Sequence, residues 1–245
     1  IEKLNKIRSH GAFSEKDIEA LFLIKPQNIT YVLGFKFVSD TFIILPREDV
    51  NGGMVMVFVN ALEFDQVKKI IEQDKEFSKI VNLILIPGGK PKFIQKTVNK
   101  LGFANVGFEE DFISVKKYSE WKGKFTIPNF VGASNIILDA RLTKTQDEIE
   151  RMQKAANLGD IGFKTIFESI KEGMTEEELA AEAEYEMRKA GSEGTSFDTI
   201  VASGENSAFP HAKTSDKKVE EGDVISFFVF IISFASFSAS ENFPS

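Results

Sequence analysis

Short apolar runs alternate with stretches of helical period through the first half of the chain. The runs at residues 20–24, 41–45, 54–59, 83–86 and 135–138 have strand length and are bounded by Gly, Pro or Asn. Between them, Phe64, Val67, Ile70 and Ile71 recur at helical spacing, with Lys68, Lys69, Glu72 and Asp74 interleaved. Phe93, Ile94, Thr97, Val98 and Leu101 repeat the pattern, and Gly102 is placed to end that helix. Strands alternating with helices of this length predict an α/β domain whose sheet is largely covered. The order of the strands is not readable from the pattern.

Near Asp139 the texture changes. A Pro-free helical pattern runs over residues 145–171, through Ile149, Met152, Ala156, Leu158, Ile161, Phe163, Ile166, Phe167 and Ile170. Thr145 with Glu148 forms a capping-box signature, in which hydroxyl and carboxylate satisfy each other's free amides. Gly173 closes this helix. Thr175, Glu176, Glu177 and Glu178 open the next, with acids at the positive end of its dipole, and it continues through Leu179, Ala183 and Met187 to Gly191. The two form a helical hairpin, followed by a strand-like run at 199–202. The domain boundary falls within residues 132–140.

Composition narrows the class of protein. The chain has 245 residues, 42% of them hydrophobic, which is ample for one large domain or two smaller ones. With no cysteine, a disulfide framework, thiolate-bound zinc, iron–sulfur centres and a thiol nucleophile are all excluded. A net charge of −7 and a pI near 5.1 argue against nucleic-acid and anionic-membrane partners. No basic segment leading into an apolar one opens the chain, so no signal peptide is expected and the protein is placed in the cytoplasm.

The end of the chain departs from this uniformity. Its last 20 residues, 226–245, contain six Phe, six Ser and a single charged residue, Glu241. Residues 224–237 are apolar enough for a buried strand or strand pair. They also fit a non-native stretch appended after a change of reading frame, and the two readings are compatible. A membrane span is set aside, because about 14 apolar residues fall short of the ~20 that a bilayer needs.

Two histidines leave few candidates for imidazole chemistry. His10, beside Gly11 in a polar stretch, reads as a surface residue. His211 follows Pro210 after a strand and a turn-rich loop, Ser203-Gly204-Glu205-Asn206-Ser207. Pro210 restricts the backbone before the imidazole, which can donate a hydrogen bond to a substrate carbonyl or oxyanion. Local sequence alone leans to a histidine that faces solvent.

Several of these segments together resemble a known family. They are Lys144-Thr145-Gln146-Asp147-Glu148-Ile149-Glu150-Arg151-Met152, Glu172-Gly173-Met174-Thr175-Glu176, residues 197–204, Asn206-Ser207-Ala208-Phe209-Pro210-His211-Ala212 and Val219-Glu220-Glu221-Gly222-Asp223. In this order they are similar to the opening of the catalytic domain of the pita-bread metallopeptidases, above all the Xaa-Pro dipeptidases (prolidases) and Xaa-Pro aminopeptidases. Upstream, Pro26-Gln27-Asn28-Ile29-Thr30-Tyr31-Val32-Leu33-Gly34-Phe35 and Val106-Gly107-Phe108-Glu109 resemble the α/β domain that precedes it in prolidases and creatinase. The resemblance implies a creatinase/prolidase-type N-terminal α/β domain over residues 1–133. Residues 134–245 would then be the first half of an α+β pita-bread domain, with an atypical tail from 226. It also implies that His211 contacts substrate beside the metal site, and that Phe197 lines the substrate pocket, although a lone aromatic there is as readily ordinary core.

The same resemblance exposes a departure. The family holds a pair of divalent metal ions (Mn, Co or Zn) with two Asp, one His and two Glu, all C-terminal to the position of His211. The first Asp falls where this chain has Phe228, and the second falls near Ala239. After Asp223 there is no Asp, no His and one Glu. Asp198 and Asp216 read as surface or turn residues, and Asp223 as a turn before a strand. No metal, cofactor or catalytic residue is therefore expected in this chain. The expected function is that of a metal-dependent Xaa-Pro dipeptidase, cleaving the amide before proline, but inactive as written. The alternative is a truncated, non-catalytic homologue acting as a binding or assembly module. Expected partners are small Xaa-Pro peptides and a second copy in a homodimer, with neither nucleic acid nor membrane.

Overall fold

The computed structural model describes residues 1–37, 41–89 and 91–229. One compact unit spans Ile1–Thr143 and another begins at Lys144. In the first unit, helices α1 (Glu2–Arg8) and α2 (Ala12–Glu15) precede strand β1 (Ala20–Leu23), helix α3 (Pro26–Leu33) and strand β2 (Phe42–Pro46). Then come β3 (Val55–Asn60), α4 (Ala61–Gln73), α5 (Lys75–Ile80), β4 (Val81–Ile86) and α6 (Pro91–Leu101). The unit closes with β5 (Asn105–Phe108), α7 (Val115–Lys124), β6 (Asn129–Gly132) and α8 (Ser134–Leu142).

Among the described residues these strands form one sheet in the order β4-β3-β2-β1-β5-β6. The β1–β2 and β2–β3 pairs are antiparallel, whereas β1–β5, β3–β4 and β5–β6 are parallel. Side chains alternate across the pleat, so one face buries Leu21, Leu23, Ile43, Leu45, Val55 and Val57. The other buries Phe22, Phe42, Ile44, Met56, Phe58 and Val106. Phe22 is the hub of the second face, edge-on to Phe42 at 5.1 Å and to Trp121 at 5.7 Å. Both faces are covered, as the alternating pattern predicted.

Helix ends follow local chemistry. Asn60 caps α4 by accepting from the Leu62 amide at 2.9 Å, and Asp74 caps α5 by accepting from Glu76 and Phe77 at 3.0 and 2.9 Å. Gly102 ends α6 at φ +68°, the left-handed conformation expected of it. One expected strand is corrected. Residues 135–138 lie inside α8, because Ile136, Ile137 and Ala140 are buried at helical spacing while Leu138 is exposed. Glu110 supplies what the local sequence lacks, accepting from the Ala133 and Ser134 amides at 2.8 and 2.9 Å and so capping α8 from a distant loop. Because α8 packs into the first core, the first unit runs to Thr143.

The second unit contains α9 (Gln146–Ser169), α10 (Glu176–Lys189), β7 (Ile200–Ser203), a 3-10 turn at Gly204–Ala208 and β8 (Ile225–Phe228). Both long helices begin with the capping box. Thr145 pairs with Glu148 (3.0 and 3.3 Å), and Thr175 pairs with Glu178 (2.8 and 3.1 Å). Gly162 of α9 lets Met187 of α10 approach, and a Cβ there would lie 2.7 Å from its sulfur. Strands β7 and β8 pair antiparallel, with Val201 opposite Phe227 and Ser203 opposite Ile225.

This unit's core is small: Ile166, Leu179, Ala183, Met187, Val201 and Val219, with Ile225, Phe227 and Val229 packed against it. The expectation that residues 224–237 are buried is therefore corrected for the described ones, 224–229. Ile225, Phe227 and Val229 are only half-buried against that core, while Val224, just before β8, and Phe228, at its end, are 69% and 45% exposed on the alternate positions. Residues 230–237, and the rest of the tail with Ala239 and Glu241, lie outside the described residues. On α9, Ile149, Met152, Phe163 and Phe167 are exposed large hydrophobic side chains.

Candidate functional site

The 3-10 turn Gly204–Ala208 hands the chain from β7 to the loop that carries His211. His211 and Lys213 flank a shallow depression of about 420 Å3, with Asn206, Phe209, Pro210 and Ala212 completing its lining. His211 is exposed, and among the described residues its imidazole makes no hydrogen bond. An imidazole and an ammonium at one rim present donors to a carbonyl or carboxylate. Phe197 is 41% exposed and is not among the residues lining this depression.

Beneath the loop lies a polar knot that sequence reading missed. Glu176, at the first position of α10, is fully buried. Its carboxylate accepts from the Ser203 amide (2.7 Å) and hydroxyl (2.9 Å), from Asn206 (3.3 Å), and from the Ser215 amide (3.0 Å) and hydroxyl (2.7 Å). Burial pushes this carboxyl up, but the bonds from Ser215, Ser203 and Asn206 outweigh it, and the group sits below the ordinary glutamate value. Beside it, Lys217 donates to Asp223 at 2.8 Å and to the Ser203 hydroxyl at 3.0 Å. The bond from Lys217 holds Asp223 below the ordinary aspartate value, helped by the Glu220 amide. Thr214 ties the loop to β7 by accepting from the Val201 amide (2.9 Å) and donating to the Thr199 carbonyl (2.8 Å). In the sequence, Glu176 is one of three consecutive glutamates at a helix start, and nothing local distinguishes it from its neighbours.

The other candidate acids do not converge. Asp198 and Asp216 are exposed, and Asp223 is engaged by Lys217. Among the described residues no group of three or more His, Asp or Glu side chains is placed to hold a metal ion. The donor set of a dinuclear centre is thus not assembled by these residues. His10, in the first unit, accepts from the Ala12 amide at Nδ1 (3.2 Å) and faces Asp139 through Nε2 (3.0 Å), a local tie between the first turns and α8.

Comparison with known proteins accords with this arrangement. Residues 5–143 match the family described as Creatinase/Prolidase N-terminal domain, and residues 150–233 match metallopeptidase family M24. The chain is 31% identical over 229 residues to an Xaa-Pro dipeptidase of Pyrococcus furiosus, covering 92% of this chain and 58% of that protein. A solved Xaa-Pro dipeptidase from Bacillus anthracis superposes with a TM-score of 0.80 at 28% identity, over 94% of this chain and 60% of its own. The prolidase of Pyrococcus horikoshii superposes at 0.79, covering 96% and 62%. The chain thus spans about three fifths of the length of the relatives it matches. It belongs to the creatinase/prolidase family, with that family's N-terminal domain followed by part of a family M24 metallopeptidase domain.

Proposed function

We propose that this chain carries the peptide-contacting loop of an Xaa-Pro dipeptidase-type domain and binds small Xaa-Pro peptides without hydrolysing them. One observation carries this reading: His211 and Lys213 share a solvent-open depression, while the described carboxylates are scattered or already paired. Amide hydrolysis in this family draws on an activated water, and no donor set among the described residues would hold the metals that supply it. With added Mn or Co, the purified chain is expected to turn over an Xaa-Pro dipeptide no faster than a His211→Ala control. Metal-dependent turnover well above that control would refute the proposal.

A second reading, an assembly module forming a homodimer, is favoured by α9, where Phe163 and Phe167 are 63% and 76% exposed. Among the described residues no helix is long and apolar enough to cross a membrane. Sedimentation of the unaltered chain and of a Phe163→Ser/Phe167→Ser variant tests it. A dimer that dissociates in the variant supports this reading, and a monomer in both removes it.

A further inference from the structure

The loop carrying His211 leaves the fold at Asn206 and rejoins it at Ser215, and one carboxylate grips both ends. Oε1 of Glu176 takes the Ser203 amide and hydroxyl and the Asn206 side chain at the exit. Oε2 takes the amide and hydroxyl of Ser215 at the return. The backbone of α10's first turn holds the return strand as well, with the Glu176 amide donating to Lys217 (3.1 Å) and the Glu177 amide to Ser215 (3.2 Å).

We propose that Glu176 is the positioning residue for His211, a buried clasp that fixes both ends of the loop presenting the imidazole. The proposal rests on the reading that His211 contacts the peptide, and it concerns how that contact is held in place. Geometry makes the carboxylate hard to replace. Each of its oxygens faces a backbone N–H, Ser203 on one side and Ser215 on the other. Hydroxyls can rotate away from a second donor, but backbone amides cannot. A glutamine side chain would therefore set its NH2 against one of those amides in either orientation, and one end of the loop would come free. Nor is the clasp needed to start the helix, because Thr175 and Glu178 already form the cap of α10.

The two histidines make the test direct, since His10 lies in the other unit and serves as an internal reference. Imidazole NMR signals are recorded for the unaltered chain and for Glu176→Gln, alongside trypsin cleavage after Lys213. The expected result is a His211 signal that shifts and sharpens while that of His10 stays put. Cleavage after Lys213 is expected to accelerate at least roughly tenfold, as local opening becomes easier. An unmoved His211 signal and unchanged cleavage in the variant overturn the proposal. If Glu176→Gln loses the circular dichroism of α9 and α10, Asn206→Ala/Ser215→Ala decides, because it loosens the clasp from the loop side and leaves Glu176 in place. Loosened His211 in that double variant supports the clasp, and an unchanged loop rejects it. Titrating an Ala-Pro dipeptide into the unaltered chain reads the contact separately: a still His211 signal there removes the peptide reading and leaves the clasp result standing.

Discussion

Asn28 donates to Glu109 at 2.6 Å from one end of its amide, and the other end accepts from Arg141 at 2.8 Å. Both Asn28 and Glu109 are buried. The contact joins α3 to the loop after β5 and, through Arg141, to the last turn of α8. Glu109 also accepts from the Ile24 and Lys25 amides at 2.6 and 2.7 Å, just ahead of α3. Three segments distant in the chain are thereby tied by one buried amide.

Replacing that amide should be costly. Asn28→Leu keeps similar bulk but withdraws a donor from a buried carboxylate. Urea unfolding followed by Trp121, the sole tryptophan and a core residue of the first unit, reports on this unit. The expected loss is roughly 2–3 kcal/mol. A loss below about 0.5 kcal/mol, the range of ordinary surface changes, would reject the role.

Glu109 also predicts a pH dependence of definite sign. Burial raises its carboxyl above the ordinary glutamate value, more than the bonds from Ile24, Asn28 and Lys25 lower it. The folded chain thus holds this proton more tightly than the unfolded chain does. Its contribution to stability is full below the ordinary glutamate range and is lost as pH rises through the raised value. The stability difference between the unaltered chain and Glu109→Gln, read by Trp121, should therefore shift against the unaltered chain from acid to neutral pH. A difference that stays constant with pH would contradict this assignment.

Gly107 sits in β5 where β1 and the turn into α8 crowd together. A Cβ there would lie 2.6 Å from Leu21 Cδ2 and 2.8 Å from Ala133 Cβ. Leucine can turn aside, but the alanine methyl is fixed to backbone. Gly107→Ala should destabilise the first unit by about 1–3 kcal/mol, through overpacking rather than backbone strain. Equal or raised stability in the same urea assay would show that the sheet yields at this point.

A fragment of residues 1–143 should unfold cooperatively on its own, whereas residues 1–133 should not. The shorter piece lacks Ile136 and Ile137, each fully buried and each contributing about 1.5–3 kcal/mol, and it lacks Arg141 on Asn28. Thermal melts of both fragments followed by Trp121 check this. Matching cooperative melts would show that α8 is dispensable to the core.

The legible parts of this fold were those whose chemistry is local. Thr145 with Glu148 announced the first long helix, the run of acids after Thr175 announced the second, and four apolar runs announced β1 to β4. Strands β5 and β6 were not legible, because Asn105, Gly107, Asn129 and Gly132 dilute their apolar character and only pairing with β1 and each other makes them strands. The run at 135–138 misled for the same reason: three apolar residues after Asn135 fit either period, and the deciding cap comes from Glu110. The site divides in the same way. His211 stood out beside Pro210, while Glu176 matters only through Ser203, Asn206 and Ser215, which the fold brings to it.

The position of β1 sets a timetable for the growing chain. This strand is flanked by β2, which follows closely, and by β5, whose Gly107 stands opposite Leu21. Until the ribosome has delivered residue 108, the apolar edge of β1 has no neighbour on that side, and Phe22 lacks Trp121 and Phe130. Local hairpins can form early, but the central pairing must wait for a long loop to close, which slows folding and prolongs exposure of an adhesive edge. Nascent chains stalled before residue 105 should therefore be the ones that chaperones hold.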